Sequence, residues 1–103
     1  MELGVHLPQT NPRPRLREVV ETARECGFTG VSANDHLVFD PPWLDGPTAL
    51  ASVIDFSEGM ELAMTGALPV VRGAHSLARA LAAIDQLSDG RLIAGVAPGS
   101  SRR

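Results

Sequence analysis

The sequence predicts an α/β protein made of parallel strand–helix repeats, and three observations carry that prediction. Apolar strand segments at residues 3–7, 30–34, 61–67 and 91–97 recur at intervals of about 30 residues, the length of a βα unit rather than a hairpin. Helical periodicity fills each interval. Residues 83–100 then read in order as the end of an amphipathic helix, a glycine stop at Gly90, a buried strand and a glycine-bearing loop, the place where a parallel strand delivers its ligand.

The first helix is introduced by Pro12 and Pro14, carries Leu16, Val19, Val20 and Ala23 on one stripe and stops at Gly27. Its polar face holds Arg17, Glu18, Glu21 and Arg24. A second helix is expected over about residues 47–57, with Leu50, Val53 and Ile54 inward and Gly59 closing it. A third, over about 76–87, places Leu77, Leu81, Ile84 and Leu87 on one face, and Ala78, Ala80, Ala82 and Ala83 allow close approach. The expected sheet is parallel, in the order 1-2-3-4, with helices on its outer face. Periodicity leaves two architectures open, an open doubly wound sheet and a closed eight-unit barrel. The first βα turn, Leu7-Pro8-Gln9-Thr10-Asn11-Pro12, lacks the glycines of a dinucleotide-binding open sheet.

Composition bounds the function. The chain has 103 residues, enough for one domain, with 44% hydrophobic and 20% charged residues. A net charge of −3, with nine scattered arginines and no lysine, argues against a nucleic-acid partner. It also excludes Schiff-base and Walker-type lysine chemistry. No apolar run reaches the roughly 20 residues of a membrane span, and the amino terminus reads as a strand rather than an export signal, so a cytoplasmic protein is expected. Cys26, the single cysteine, excludes an internal disulfide and reads as a small buried hydrophobe. No cluster has metal-ligand spacing, and no Ser-His-Asp arrangement is legible.

Strand ends supply the candidate site. His36 follows the second strand directly, where side chains of an α/β barrel line the site, and an imidazole can exchange a proton when a hydride moves at an alcohol or carbonyl carbon. A turn or capping role is its plain alternative. Asp35 either orients His36 or a backbone amide, or satisfies the donors of the loop. Trp43 reads as an aromatic wall of a substrate pocket or as an anchor of the loop at 37–46, the longest irregular stretch. His6, inside the first strand, is expected to fill a layer of the barrel if the sheet closes, and His75 to cap a helix or lie on the surface. Thr65, Gly66 and Ala67 close the third strand, and Gly95, Pro98, Gly99 and Ser100 surround the end of the fourth, where small residues let a ligand approach the backbone.

Two blocks resemble the luciferase-like family of flavin- and deazaflavin-dependent oxidoreductases. One is Asp85-Gln86-Leu87-Ser88 with Gly90-Arg91-Leu92, Gly95-Val96 and Pro98-Gly99-Ser100-Ser101; the other is Ser32-Ala33-Asn34-Asp35-His36-Leu37-Val38 with Asp45-Gly46-Pro47-Thr48-Ala49-Leu50. The resemblance covers residues 1–103 but only the first half or less of the family's usual length. It implies a partial (β/α)8 TIM barrel of about four units, the N-terminal half of a domain that runs to about 250 residues. It implies an oxidoreductase or monooxygenase segment that uses a reduced 8-hydroxy-5-deazaflavin coenzyme or FMN for hydride or oxygen transfer to a small organic substrate. On that reading His36 is the catalytic group, and Asp35, Thr65, Gly66, Ala67, Gly99 and Ser100 contact the cofactor. A bulge at Thr65-Gly66-Ala67, commonly with a non-proline cis peptide, supports the back of the ring. Ser100 stands where related deazaflavin dehydrogenases carry an acidic residue. The competing reading is a non-catalytic half-barrel acting as an assembly or binding module, and in either case open strand edges favour a homo-oligomer.

Overall fold

The computed structural model describes residues 2–9, 15–35 and 43–98. It shows four parallel strands, β1 (Gly4–His6), β2 (Gly30–Ala33), β3 (Glu61–Ala67) and β4 (Leu92–Val96), paired in the order β1-β2-β3-β4. The helices are α1 (Leu16–Glu25), α2 (Gly46–Ser52), α3 (Pro69–Arg72) and α4 (Ala74–Leu87), and a 3-10 turn spans Ile54–Phe56. The expected parallel α/β order is therefore present.

Register decides which side is the core. Val5, Val31, Leu62 and Leu92 stand opposite one another in one row, and the next row, on the other face, is His6, Ser32, Ala63 and Ile93. The first row packs with Val20 and Ala23 of α1, Leu50 of α2, and Leu77, Leu81 and Ile84 of α4 in one apolar cluster, so the helices cover that face. The second row stays out of the cluster; His6 stands on this face, away from the helices, and is exposed in the four-stranded sheet, and Ile93 is 50% exposed. β4 is half uncovered, Val96 included.

Helix ends follow backbone chemistry. At the end of α1 the Phe28 and Gly27 amides donate to the Ala23 and Arg24 carbonyls, at 2.9 and 3.0 Å, and Gly27 takes φ +90°, a left-handed stop open to glycine at no steric cost. The end of α4 repeats the pattern one residue earlier than the sequence suggests. Gly90 and Asp89 donate to Asp85 and Gln86, and the left-handed residue just past the cap is Asp89, with φ 56°. A short polar side chain tolerates that conformation, and Gly90 then continues the turn.

Three expectations need correction, and one helix was not foreseen. The helix expected over 47–57 ends at Ser52, and the 3-10 turn follows. The chain tightens there into three-residue bonds, Val53 donating to Leu50 and Phe56 to Val53, each at 3.1 Å, and the Arg91 guanidinium then takes the carbonyls of Ile54, Ser57 and Met60 while its Nε donates to Ser88 at 2.9 Å. Leu87, expected inward, is 70% exposed, while Ser88 is buried in its place. From Leu77 the 3.6-residue repeat returns to the same stripe at Leu81, Ile84 and Ser88 but leaves Leu87 about 80° away. Helix α3 escaped the periodicity because it has only four residues. Cys26, expected buried, is exposed at the cap of α1, where it lines an open apolar hollow with Val5, Val19 and Phe28.

Among the described residues no helix is long and apolar enough to cross a membrane, and no group of His, Cys, Asp and Glu could hold a metal ion.

Candidate functional site at the carboxyl ends of the strands

Parallel pairing brings the carboxyl ends of all four strands to one edge of the sheet: Leu7 and Gln9 after β1, Asn34 and Asp35 after β2, Thr65 to Leu68 at the end of β3, and Ala97 after β4. Backbone bonds hold the ends in step. Leu7 donates to Ser32, and Ala97 donates to Ala67, each at 2.8 Å.

The end of β3 is irregular. Its pairing with β4 steps from Met64–Ala94 to Ala67–Val96, a register shift that leaves Thr65 and Gly66 as a bulge. Gly66 sits at φ +101°, where an L side chain is strained, and a Cβ placed on it would meet nothing within 4 Å except the Ala97 methyl at 3.6 Å. Gly95 beside it is required for a different reason: a Cβ there would lie 2.6 Å from the Met64 carbonyl oxygen. The hydroxyl of Thr65 donates to Ala33 at 3.2 Å and ties the bulge to the end of β2. The result is a patch of bare backbone at the mouth around Gly66, Gly95 and Ala97, while the Ala67 methyl that follows turns into the core. A flat ring can lie against such a surface.

Beside this patch stands a buried ion pair. The side chain of Asp35 has no exposed surface; its carboxylate accepts Arg72 Nε and Nη2, each at 2.7 Å, and the Leu68 amide at 3.2 Å. A forked guanidinium on a carboxylate is the geometry that makes a desolvated pair tolerable. Arg72 reaches further, to Asp45 at the cap of α2. The hydrogen bond to Asp35 comes first among the influences that raise the guanidinium above its ordinary range, ahead of an opposing burial cost. For Asp45, burial works against the charge, but hydrogen bonds from Thr48 and Arg72 outweigh it and hold the carboxyl below the usual carboxylate range.

Gln9 makes a second bridge. It is buried, donates through Nε2 to the carbonyls of Asn34 at 2.8 Å and Leu44 at 2.7 Å, and accepts the Asn34 amide at 2.9 Å; the Leu44 amide in turn donates to the Gln9 carbonyl at 3.0 Å. Gly46 lies so close to the end of β2 that a Cβ would stand 2.6 Å from the Asn34 carbonyl oxygen. This contact seats the start of α2 against the mouth.

Of the residues singled out from the sequence, the structure brings Asp35, Thr65, Gly66 and Ala67 to one edge of the sheet. Trp43 lies half-buried on the returning segment just before Leu44. His36, Gly99 and Ser100 lie outside the described residues. His75 is exposed and provides no cap to α4. Sequence reasoning missed Gln9, Arg72 and Asp45. Arg72 belongs to a helix of one turn, and Gln9 reads as one more polar residue in a proline-flanked turn; only Asp45, two residues before Pro47 and three before Thr48, carried a legible helix-cap signal.

Fold and site together define a parallel βα protein whose functional edge lies at the strand carboxyl ends. The model of the luciferase-like monooxygenase family matches residues 1–103, and the chain belongs to that family. Among solved structures, the monooxygenase RslO1 from Streptomyces bottropensis is similar at 29% identity and a TM-score of 0.77, over 93% of this chain and 32% of that one. A coenzyme F420 dependent tetrahydromethanopterin reductase from Methanopyrus kandleri shares the fold at 21% identity and a TM-score of 0.80, over 96% and 27% of the two chains. So does the oxygenating constituent of 3,6-diketocamphane monooxygenase from the CAM plasmid of Pseudomonas putida, in complex with FMN, at 18% identity and a TM-score of 0.78, over 98% and 30%. The chain thus spans between 27% and 32% of the length of these structures.

Proposed function

We propose that this chain carries the ring side of a flavin or deazaflavin site and serves an oxidoreductase that acts on a small organic substrate. The observation that carries this reading is the β3 bulge, where Gly66 at φ +101° opens bare backbone at the mouth of the sheet. The patch fits a tricyclic ring: a Cβ on Gly66 would stand in the space such a ring needs, and the neighbouring Gly95 and Ala97 are small. Thr65, Gly66 and Ala67 would support the ring from behind. Asp35 would act from beneath it, through its hold on the Leu68 amide and Arg72. When bound, the reduced cofactor supplies a hydride or activates oxygen. His36, one residue past Asp35, would hold and move the proton, Trp43 would wall the substrate, and Gly99 and Ser100 would complete the cofactor contacts. FMN and the deazaflavin coenzyme both answer to this description, and family membership together with the FMN-bound and F420-dependent neighbours supports that pair. The protein is proposed to act in the cytoplasm, without nucleic-acid or membrane partners.

A second reading has its own observation. Ile93 and Val96 on β4 and Leu3 before β1 are all more than half exposed or close to it, at 50%, 62% and 54%, at the two edges of the sheet. A half-barrel that assembles through these edges, as a homo-oligomer or a non-catalytic binding module, accounts for them. Titration of the chain with FMN and with the deazaflavin coenzyme, each oxidised and reduced, separates the readings. Trp43 is the only tryptophan and there is no tyrosine, so quenching of its emission reports the site directly. Saturable quenching at micromolar cofactor supports the first reading. Absence of quenching at millimolar cofactor, with light scattering showing an oligomer, supports the second.

A further inference from the structure

We propose that Arg72 is a positioning residue of the site: by holding both backbone polar groups of Leu68 it fixes the chain where it leaves the β3 bulge, and with it the surface offered to the ring. Its purpose rests on the function proposed above; the hold itself is independent of any ligand.

Leu68 is reached twice from the same residue. Its carbonyl accepts the Arg72 backbone amide at 3.0 Å. Its own amide donates at 3.2 Å to the Asp35 carboxylate, which the Arg72 side chain grips through Nε and Nη2, each at 2.7 Å. Asp35 is a fixed intermediary, because three donors meet its two oxygens and no part of its side chain is exposed. It therefore acts on the mouth through the backbone rather than by contact. The Ala67 carbonyl, between the bulge and Leu68, accepts the Ala97 amide at 2.8 Å, and the Thr65 hydroxyl holds Ala33 at 3.2 Å. Both flanks of Gly66 are thereby tied, to β2 on one side and to Ala97 and Asp35 on the other.

The segment needs such a hold. The glycine that bares the surface at φ +101° also brings backbone freedom, since without a Cβ it enters several conformations at little cost. The helix that follows at once, α3, has four residues, and a single turn does not stand without outside contacts. Packing does not supply them: α3 buries none of its residues, and Val70 and Val71 are 79% and 61% exposed. Arg72 is the residue of α3 that turns inward, to a buried partner. A guanidinium suits the task better than an ammonium because its planar fork fixes the direction of approach as well as the distance. It also donates to Asp45 at the cap of α2, so the turn is anchored to a second element.

The test compares two variants with the wild-type chain by amide hydrogen exchange and amide shifts, first without cofactor. Arg72→Lys keeps the charge and loses the fork. The double variant Asp35→Leu with Arg72→Met removes the pair without stranding a buried charge, a replacement that folded proteins tolerate, so it separates positioning from stability. Exchange at the Leu68 and Arg72 amides should rise about threefold in Arg72→Lys and about tenfold or more in the double variant, with the Gly66 amide shifted in both and α4 unchanged. The chains are then titrated with FMN and with the deazaflavin coenzyme. For whichever the wild type binds, the dissociation constant should rise about tenfold in the double variant, because a disordered support must be ordered on binding. Unchanged exchange at Leu68 in both variants, an equal rise in α4, or wild-type affinity in the double variant would overturn the proposal. Should the double variant fail to fold, Arg72→Lys decides by the same readings. A wild-type chain that binds neither cofactor counts against the proposed function, and the exchange at Leu68 then decides the hold alone.

Discussion

Arg91 offers the sharpest test of how this fold is held at the end opposite its site. Its guanidinium donates to the carbonyls of Ile54, Ser57 and Met60 and to the Ser57 hydroxyl, and Nε donates to Ser88. Ile54, Ser57 and Met60 are all buried, so removing the donor leaves acceptors that water reaches poorly. The Ile54 and Ser57 carbonyls keep donors from Ser57 and Met60, whereas the Met60 carbonyl loses its guanidinium donor at a cost of about 1–3 kcal/mol; with the other charged bonds lost as well, Arg91→Ala should lose about 3–5 kcal/mol. A domain of this size has only about 5–15 kcal/mol of net stability. The assay is urea unfolding followed by circular dichroism. With a slope of about 1–3 kcal/mol per molar urea, the midpoint should fall by roughly 2 M. Arg91→Lys should recover less than half of the loss, because an ammonium cannot span donors in the plane of a guanidinium. A loss below about 1 kcal/mol for the alanine variant would refute the reasoning and show that the carbonyls rehydrate freely.

Other outcomes follow from the same geometry. Gly95→Ala should cost about 2 kcal/mol or more and loosen the β3–β4 pairing, because its Cβ would meet the Met64 carbonyl at 2.6 Å; amide exchange of β4 reads this. Arg17→Ala, by contrast, should cost less than about 1 kcal/mol in thermal unfolding, since its contacts with Glu21 at 3.3 Å and with the Phe56 ring at 4.6 Å lie on an exposed face. Asp45 has a folded-state pKa below its ordinary 3.8. Its contribution to stability is therefore full above the ordinary value and is lost as pH falls through the folded one. Unfolding free energy measured below about pH 4 should fall less steeply in Asp45→Asn than in wild type.

The fold was legible because its signals are periodic. Strand spacing and the stripe of Leu77, Leu81 and Ile84 follow from chain geometry alone, and the parallel order came out as read. What escaped lies where periodicity has no hold. Ser88 occupies a core position that a polar residue does not announce, so Leu87 took its place in the reading. The one-turn helix that delivers Arg72 is too short to show a period. For the site, the small residues at Thr65-Gly66-Ala67 and the acid at Asp35 could be named because strand ends in parallel sheets collect ligands. Their partners could not. Gln9 and Arg72 join positions 25 to 37 residues away, and single residues carry no record of such pairings.

The claim that a flavin-type ring rests on the β3 bulge is tested most directly by mapping amide shifts of the isotope-labelled chain during titration with FMN and with the deazaflavin coenzyme. The expected result is saturable shifts at micromolar cofactor that cluster at Asp35, at Gly66 to Leu68 and at Ala97, with α1 and the base around Arg91 unmoved. Saturable shifts centred on α1 or the hollow beside Cys26, or no shifts at millimolar concentrations of either cofactor, would contradict it.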